Sequence, residues 1–557
     1  MARNRSGGGA VKNQRDKQRK EQQQQHGASS AVTAQNNALL LPATDQQQHN
    51  NDGVEQQQGV VGQDQPNNFE NDTSSNDNNN ANSFSESLPP AAAKLASAAS
   101  LLRNHRQRQQ RRSTTPRETK GPPKGGGGPK SNVLKRARLH LFEFVNWYIE
   151  NDCQLNTAQI VRLGAHVYSS TDSSILDHLF MSRFWNWLVH FYPIWLAPNL
   201  ITLIGLIINL ITVLVLSNFC YSAKEIVISI FTNFPFLAPS WAYSLAALGL
   251  FLYQTLDATD GKQARRTHSS SPLGELFDHG CDSMTQVFVT LNICYAMQLG
   301  SYRHLVLITM MVSLGLFYTA HWSTYCTGQL RFSKFDVTEA QMMVISILVA
   351  TSLFGPGIWN IELFGLQFQL KIIFMSVCLL GSVWHFFSYL KVILNDGVGK
   401  NGSTVAGTSV IYPLFPLLAV CVPFLMIYYK TNSGVYDQNI TVFCLCFGAV
   451  AAKATNRLII AHMSKSELEL WDWVYLSPFV MILNQYYDYY FDEYTLLLAS
   501  TVYAYASLIT FCTFICRQFC DFLGISCFRI DVQHQRHRRN LSSENGSIKK
   551  LLLNRAE

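Results

Sequence analysis

The sequence predicts an all-α integral membrane protein with about ten transmembrane helices behind a disordered N-terminal tail. Two observations carry that prediction. The first part of the 557-residue chain is polar and repetitive. The remainder divides into apolar runs close to the ~20 residues that an α-helix needs to cross a bilayer. The mean hydropathy of +0.03 therefore averages two very different regions.

The N-terminal region, residues 1–135, is expected to be disordered. Its glutamine runs and an asparagine-rich block at 67–82 offer too little apolar area to form a core. Residues 1–25 are basic and glutamine-rich without an apolar segment, so no signal peptide is expected. Residues 521–557 are expected to form a second, basic tail in the cytosol.

Residues 136–193 are expected to form an amphipathic helical region at the membrane interface. From Ser174 to Tyr192, aromatic and aliphatic side chains recur at helical spacing with polar residues between them. This pattern is typical of a helix that lies in the plane of the interface. Pro193 and Pro198 interrupt the helix before the first span, because proline removes a backbone hydrogen-bond donor.

Ten apolar runs follow, and only the ninth, which contains Pro478, is clearly short. An even number of spans places both ends of the chain on one side of the membrane. Lysine and arginine are concentrated in the loops on that side, which identifies it as the cytosol. The runs are 199–218, 240–259, 280–300, 304–325, 340–359, 370–393, 409–429, 440–461, 472–487 and 494–516.

The composition excludes several classes of site. The 13 cysteines are scattered and form no C-x2-C pair, so neither a zinc site nor a disulfide framework is expected. The net charge of +7 is concentrated in the tails and the cytosolic loops, and no nucleic-acid-binding signature accompanies it. Membrane lipid, and not nucleic acid, is therefore the expected partner of this charge.

One stretch, residues 257–282, carries ionisable side chains where a bilayer helix normally has none. Asp257 and Asp260 are neighbours at i,i+3 on one helix, and Asp278 and Asp282 share a face of the next. Charge at this depth needs a partner or a cation. Carboxylates on two facing helices suit one or two ions of Mg²⁺ or Mn²⁺ rather than Zn²⁺. The four aspartates are therefore the predicted metal ligands.

Residues beside these aspartates fit a phosphate-bearing ligand. Gly261 and Ala264 lie on roughly the same helix face and add no bulk. Arg265 carries a planar guanidinium that can bind an oxygen of a pyrophosphate. Glu275 and His279 fall within the same arc of the second helix as its two aspartates.

The spacing D-x2-D-G-x2-A-R-x8-G-x3-D-x3-D resembles the signature of the CDP-alcohol phosphotransferase family. The wider segments D-G-K-Q-A-R-R-T and S-S-S-P-L-G-E-L-F-D-H-G-C-D resemble its choline/ethanolamine phosphotransferases in particular. The resemblance covers roughly Phe184 to Asp531. The signature is met without departure by Asp257, Asp260, Gly261, Ala264, Arg265, Gly274, Asp278 and Asp282.

The resemblance implies an enzyme that transfers phosphocholine or phosphoethanolamine from CDP-choline or CDP-ethanolamine to diacylglycerol. The products would be phosphatidylcholine or phosphatidylethanolamine, and CMP, with two divalent ions as cofactors. It also implies a catalytic bundle of six spans at 194–393 and a region at 394–520 for dimerisation and lipid access. We expect a homodimer in the endoplasmic reticulum membrane, or in the Golgi or nuclear envelope, with the active site and both termini cytosolic. The preference between choline and ethanolamine is not readable from the sequence.

Within that reaction, His279 is the predicted general base, because an imidazole titrates near neutral pH. Glu275, one turn earlier, is expected to hydrogen-bond this imidazole and orient it. Asp282 is the rival base. Asn199 is expected to bind the cytidine or ribose, with an ordinary helix cap as the alternative. The other residues expected to bind the CDP-alcohol are Gly261, Ala264 and Arg265.

Two other functions are open at this point. One is a different CDP-linked phospholipid synthase, which uses CDP-diacylglycerol and a soluble alcohol such as inositol. The segment S-S-S-P-L-G-E-L-F-D-H-G-C-D argues against it. The other is a polytopic transporter or scaffold without enzymatic activity, whose buried acids conduct protons or ions. That function would leave Gly261, Arg265 and Gly274 without a purpose.

Overall fold

The computed structural model describes most of residues 140–530. The gaps are residues 141–142, 144–145, 172–173, 221, 224–226, 229–234, 237, 332–336, 363–364, 366–367 and 432–433. The predicted disorder of residues 1–135 lies outside the described residues, and so does the part of the predicted C-terminal tail after residue 530. Both remain predictions.

The described residues are almost entirely helical, as the sequence predicts. Strands within them are limited to two-residue pairs. β1 (Ser170–Thr171) pairs in parallel with β4 (Leu330–Arg331), and β2 (Val227–Ile228) is antiparallel to β3 (Pro235–Phe236). The main helices are α1 (Thr157–Gly164), α2 (Ser182–Leu188), α3 (Pro198–Phe219), α4 (Ser240–Arg266), α5 (Pro272–Ala296), α6 (Arg303–Thr327), α7 (Val337–Phe354), α8 (Leu370–Asn395), α9 (Leu414–Lys430), α10 (Ile440–Met463), α11 (Leu476–Tyr486) and α12 (Glu493–Leu523).

Helices α3 to α12 coincide one for one with the ten predicted spans. Six of them, α3, α6, α7, α8, α10 and α12, are long and apolar enough to cross a bilayer. Helices α4 and α5 have the length but carry the acidic residues, while α9 and α11 are shorter. The protein is therefore a multi-pass membrane protein, and ten is an approximate number of crossings.

The segment predicted to lie at the membrane interface is helical, in three pieces, and its place at the interface remains a prediction. A π-helical turn at Asp177–Met181 leads into α2 and then into a 3₁₀ turn at Val189–Phe191. Trp187 is 59% exposed, while Trp185 on the opposite side is buried. This arrangement gives the segment one apolar outer face, as expected of a helix at a membrane surface.

A tight connection between α4 and α5 places the acidic residues of the two helices together. Proline occupies the first position of α5, and the side chain of Ser271 accepts a hydrogen bond from the backbone N–H of Gly274. Both features favour a helix start. At the end of α4, the Thr267 hydroxyl donates to the Gln263 carbonyl at 2.8 Å, which satisfies a terminal carbonyl.

Helix α10 lies at the centre of the bundle and α8 at its edge. Helix α10 packs against α5, α6, α9 and α12, and most of its residues are buried, whereas few residues of α8 are buried. The predicted boundary between a six-span catalytic bundle and a four-span region stays a prediction. Two of the last four helices, α10 and α12, nevertheless pack directly against α5 of the acidic hairpin.

A buried ion cluster fixes the residues before α1 onto this central helix. Lys453 of α10 is fully buried, and its Nζ lies 2.5 Å from Oδ2 of Asp152 and 2.8 Å from Oδ1 of Asp472. Arg457 pairs with the same two aspartates. The two cations and two aspartates satisfy one another, so this cluster needs no ligand. Its role is to dock the segment that leads into α1.

We predict that Gly448 on α10 tolerates no side chain. A Cβ at this position would lie 2.6 Å from Cβ of Val287 on α5, and a β-branched side chain cannot move aside easily. Gly448→Ala should cost about 1–3 kcal/mol of stability through overpacking, measured as a lower thermal unfolding temperature in detergent. Gly381→Ala on α8 is the matched control, because a Cβ at this position would have no neighbouring atom of the described residues within 4 Å. Equal unfolding temperatures for the two variants would contradict the packing of α5 against α10.

Candidate active site

The structure brings the four predicted aspartates together on facing helices. Carboxylate oxygens of Asp257, Asp260 and Asp278 lie within 4.8 Å of one another. Asp278 and Asp282 form a second such group with a nitrogen of His279. One carboxylate, that of Asp278, therefore belongs to both groups.

These carboxylates contain the kind of unsatisfied atoms that a cation requires. Oδ1 of Asp257 and Oδ1 of Asp278 are buried and have no hydrogen-bond partner within the described residues. No described lysine or arginine forms an ion pair with any of the four aspartates. Buried charges without partners are strongly unfavourable. A set of oxygen donors alone suits a hard divalent ion, so the residues present fit a metal site.

One carboxylate oxygen of Asp260 and one of Asp282 are held by neutral hydroxyl groups. The Thr202 hydroxyl on α3 donates to Oδ2 of Asp260 at 2.5 Å. The Tyr253 hydroxyl donates to Oδ1 of Asp282 at 2.5 Å, and the Thr285 hydroxyl donates to Tyr253 at 2.8 Å. These bonds orient the carboxylates without neutralising them, as outer-shell partners of metal ligands do.

A cavity of about 710 Å³ adjoins the acidic cluster. Its size suits a nucleotide-sized ligand. Eight of the ten predicted site residues line it, and His279 and Asp282 are the two that do not. The eight are Asn199, Asp257, Asp260, Gly261, Ala264, Arg265, Glu275 and Asp278.

Three basic side chains also line the cavity. Lys262 and Arg265 line it from α4, and Arg529 lines it from the segment after α12. Arg265 lies over Gly261, since a Cβ at that glycine would be 3.7 Å from Nη1 of Arg265. The lack of a side chain at Gly261 thus leaves space between the arginine and the acids, where an anionic group can bind.

Asn199 faces the cavity and is not a helix cap. The cap of α3 is Ala197, and Pro198 occupies the first helical position, so the alternative of an ordinary cap is wrong. The Asn199 amide donates to the Cys527 sulfur at 3.5 Å. Burial raises the pKa of the Cys527 thiol, so this thiol stays neutral at neutral pH and adds no charge to the cavity.

His279 lies next to the acidic cluster but outside the cavity lining. Its Nδ1 is 3.8 Å from Oδ2 of Asp282 and 4.0 Å from Oδ2 of Asp278. Its ring contacts those of His321 on α6 and Tyr168, with centroids 5.3 and 6.4 Å apart. The imidazole is therefore positioned by α6 and by the segment after α1 as well as by α5.

The expected hydrogen bond between Glu275 and His279 is wrong. Glu275 Oε1 instead accepts a hydrogen bond from Nε2 of His166 at 3.1 Å, and no bond to His279 is present among the described residues. The physical reason is that His166 comes close to the first turn of α5, where Glu275 lies. The carboxylates that lie within 4.0 Å of His279 belong to Asp278 and Asp282, on the same helix.

Sequence reasoning missed several residues of the site. Two of them carried a readable signal: Thr202 is three residues after Asn199, and Tyr253 is four residues before Asp257, so each shares a helix face with a predicted site residue. His166 and Arg529 come from segments far away in the chain. Only the fold brings those two to the cavity.

The chain is similar in sequence to a known family and to several known proteins. A family profile described as CDP-alcohol phosphatidyltransferase matches residues 195–384. The chain is 43% identical to cholinephosphotransferase 1 of Xenopus laevis over 376 residues, which cover 68% of this chain and 90% of that protein. It is 41% identical to cholinephosphotransferase 1 of Homo sapiens over 375 residues, 67% of this chain and 89% of the relative.

A more distant relative is similar over the same length. This is an uncharacterized CDP-alcohol phosphatidyltransferase class-I family protein of Dictyostelium discoideum, 30% identical over 377 residues. The match covers 67% of this chain and 86% of that protein. The similarity therefore extends well beyond the segment matched by the family profile.

Proposed function

The chain belongs to the CDP-alcohol phosphatidyltransferase family, and we propose that it transfers phosphocholine from CDP-choline to diacylglycerol, giving phosphatidylcholine and CMP. Sequence identity of 41–43% to cholinephosphotransferases over most of their length supports this reaction. The observation that carries the proposal is the unsatisfied carboxylate cluster beside a nucleotide-sized cavity. We propose phosphoethanolamine transfer from CDP-ethanolamine as a second activity of the same site.

Asp257, Asp260, Asp278 and Asp282 would hold the divalent ions of the reaction, Mg²⁺ or Mn²⁺, with Asp278 placed to serve two of them. When bound, such ions neutralise charge on the pyrophosphate and on the departing CMP. The hydroxyl groups of Thr202 and Tyr253 fix one oxygen of Asp260 and one of Asp282. Carboxylate oxygens of Asp257, Asp260 and Asp278 lie within 4.8 Å of one another, close enough to share an ion.

The CDP-alcohol would bind in the cavity beside these acids. Arg265 lies over Gly261 and lines the cavity with Ala264, and its guanidinium can bind a pyrophosphate oxygen through two hydrogen bonds. Asn199 also lines the cavity, and its amide is suited to the cytidine or the ribose. Phosphoryl transfer depends mainly on positioning and on charge neutralisation, and these residues supply both.

His279 would accept the proton of the attacking alcohol. The diacylglycerol oxygen forms a new bond to the phosphorus of phosphocholine as the bond from that phosphorus to the CMP oxygen breaks. CMP leaves with the electron pair, and the hydroxyl proton moves to the imidazole. The position of His279 outside the cavity lining, next to Asp278 and Asp282, supports a separate approach for the lipid acceptor.

We further propose that the protein lies in the endoplasmic reticulum membrane with its active site facing the cytosol. The Golgi and nuclear envelope membranes are the alternatives. The end of α4 that leads into the loop before α5 carries Lys262, Arg265 and Arg266, which favours the cytosolic side. CDP-choline is a soluble, charged substrate, whereas diacylglycerol enters from the bilayer. A homodimer formed through α9 to α12 completes the proposal.

The direct test is transfer by the purified protein in lipid, with Mg²⁺ or Mn²⁺ and each CDP-linked donor offered separately. We expect CMP and phosphatidylcholine from CDP-choline and diacylglycerol, and no product from CDP-diacylglycerol with inositol. The CDP-ethanolamine reaction decides the range of head groups. Sealed microsomes should also convert CDP-choline added from outside. Turnover of CDP-diacylglycerol with inositol, or no transfer from CDP-choline, would refute the proposed reaction.

The proposed base predicts a specific kinetic defect. His279→Ala should lower kcat roughly 10²- to 10⁴-fold, the usual range for loss of a general base, while the KM for CDP-choline changes little. Stopped assays of CMP release measure both constants. His385→Ala, on the peripheral α8, is the control and should retain the wild-type rate. If His279→Ala keeps a near-normal rate, the role of base moves to Asp282.

A further inference from the structure

His166 reaches the site from a part of the chain outside the segment matched by the family profile. It follows α1, while the profile begins at residue 195. Its Nε2 donates to Oε1 of Glu275 at 3.1 Å, and the side chains of the two residues are only 8% and 12% exposed. A charge-assisted hydrogen bond with so little solvent access is well suited to fixing a carboxylate.

Helix α1 is docked firmly enough to place this histidine. The Gln159 amide donates to the Ser466 hydroxyl at 3.3 Å, and the Arg162 guanidinium donates to the Lys465 carbonyl at 2.9 Å. Leu163 is fully buried in a cluster that also contains Phe519 of α12. The segment that carries His166 is therefore held by α12 and by the loop after α10.

The imidazole of His166 is itself oriented by packing. Its ring lies edge-to-face against that of His462 on α10, with centroids 5.5 Å apart and an angle of 78° between the planes. Aromatic rings favour this geometry. Contact with His462 on one side and Glu275 on the other leaves the His166 side chain little freedom to rotate.

Only one oxygen of the Glu275 carboxylate accepts a hydrogen bond from the described residues. Its Oε2 is buried and has no hydrogen-bond partner within the described residues, yet Glu275 lines the cavity. It lies one turn before His279 on the same face of α5. The hydrogen bond to Oε1 thus fixes the carboxylate, while Oε2 makes no hydrogen bond within the described residues and keeps its capacity to accept one.

We propose that His166 is a positioning residue of the transfer reaction, which holds Glu275 so that its second carboxylate oxygen is presented to the reacting groups. The inference rests on the proposed function. His166 acts only through Glu275, so its loss should slow the transfer step without weakening the binding of CDP-choline. The residue is contributed by the N-terminal segment, which makes that segment part of the active site and not only a membrane anchor.

A double-mutant cycle tests the inference. We expect His166→Phe, which keeps an aromatic ring against His462 but loses the donor, to lower kcat roughly 10- to 100-fold, as misplacement of a reacting group does. The KM values for CDP-choline and diacylglycerol should change less than ~3-fold, since neither substrate loses a contact. His166→Gln, whose amide can donate from a similar position, should recover most of the rate.

The decisive comparison uses Glu275→Gln. If His166 acts through Glu275, adding His166→Phe to Glu275→Gln should change kcat by less than ~2-fold, since coupled residues are not additive. Losses that multiply in the double variant would overturn the inference. A rise in KM alone, or an unchanged kcat in His166→Phe, would overturn it as well.

Stability and substrate binding separate this role from a purely structural one. Thermal unfolding of each variant should still shift upward when CDP-choline is added, because ligand binding stabilises the folded state. Asn151→Ala, which removes an exposed hydrogen bond in the segment before α1, is the control and should keep the wild-type kcat. If His166→Gln unfolds and loses the CDP-choline shift, His166 is structural and the inference fails. An inactive wild-type protein would instead refute the proposed function.

Discussion

Mutual repulsion among four carboxylates on two neighbouring helices is the constraint on which the rest of this structure depends. Insertion scales assign ~2.5–3.5 kcal/mol to a single aspartate at the centre of a membrane helix. Here two carboxylate oxygens are buried without partners in the described part of the chain. Thr202 and Tyr253 orient other oxygens but bring no positive charge. A bound cation is the simplest compensation, and the small residues of α4 leave the space for what it would hold.

The support for this hairpin comes from parts of the chain that carry no chemistry of their own. Helix α10 packs against α5 through Gly448, where only a glycine fits. The same helix carries Lys453, which docks the segment before α1 through Asp152. That segment in turn delivers His166 to Glu275. One central helix thus sets the position of the acidic hairpin and of the segment that brings His166 to the cavity.

Much of this arrangement was predictable from the sequence, because helical periodicity and hydropathy are local. The spans, the α4–α5 hairpin and the facing aspartates follow from spacing alone, and Tyr253 could have been found four residues before Asp257. The hydrogen-bond partner of Glu275 could not be predicted, because helical i,i+4 spacing favours His279. Only tertiary packing brings Nε2 of His166 within 3.1 Å of Glu275. Arg529 is unpredictable for the same reason. Residues donated across the bundle by distant segments leave no periodic signal.

The central claim is that these aspartates bind divalent ions in contact with the substrate pyrophosphate. Electron–nuclear double resonance on the Mn²⁺-loaded protein tests it directly, because a metal-bound phosphate oxygen couples the electron spin to ³¹P. With CDP-choline present, the account predicts a ³¹P coupling that is lost in Asp278→Asn, the aspartate shared by both groups of ligands. Mn²⁺ bound without any ³¹P coupling, or an unchanged spectrum in Asp278→Asn, would contradict it.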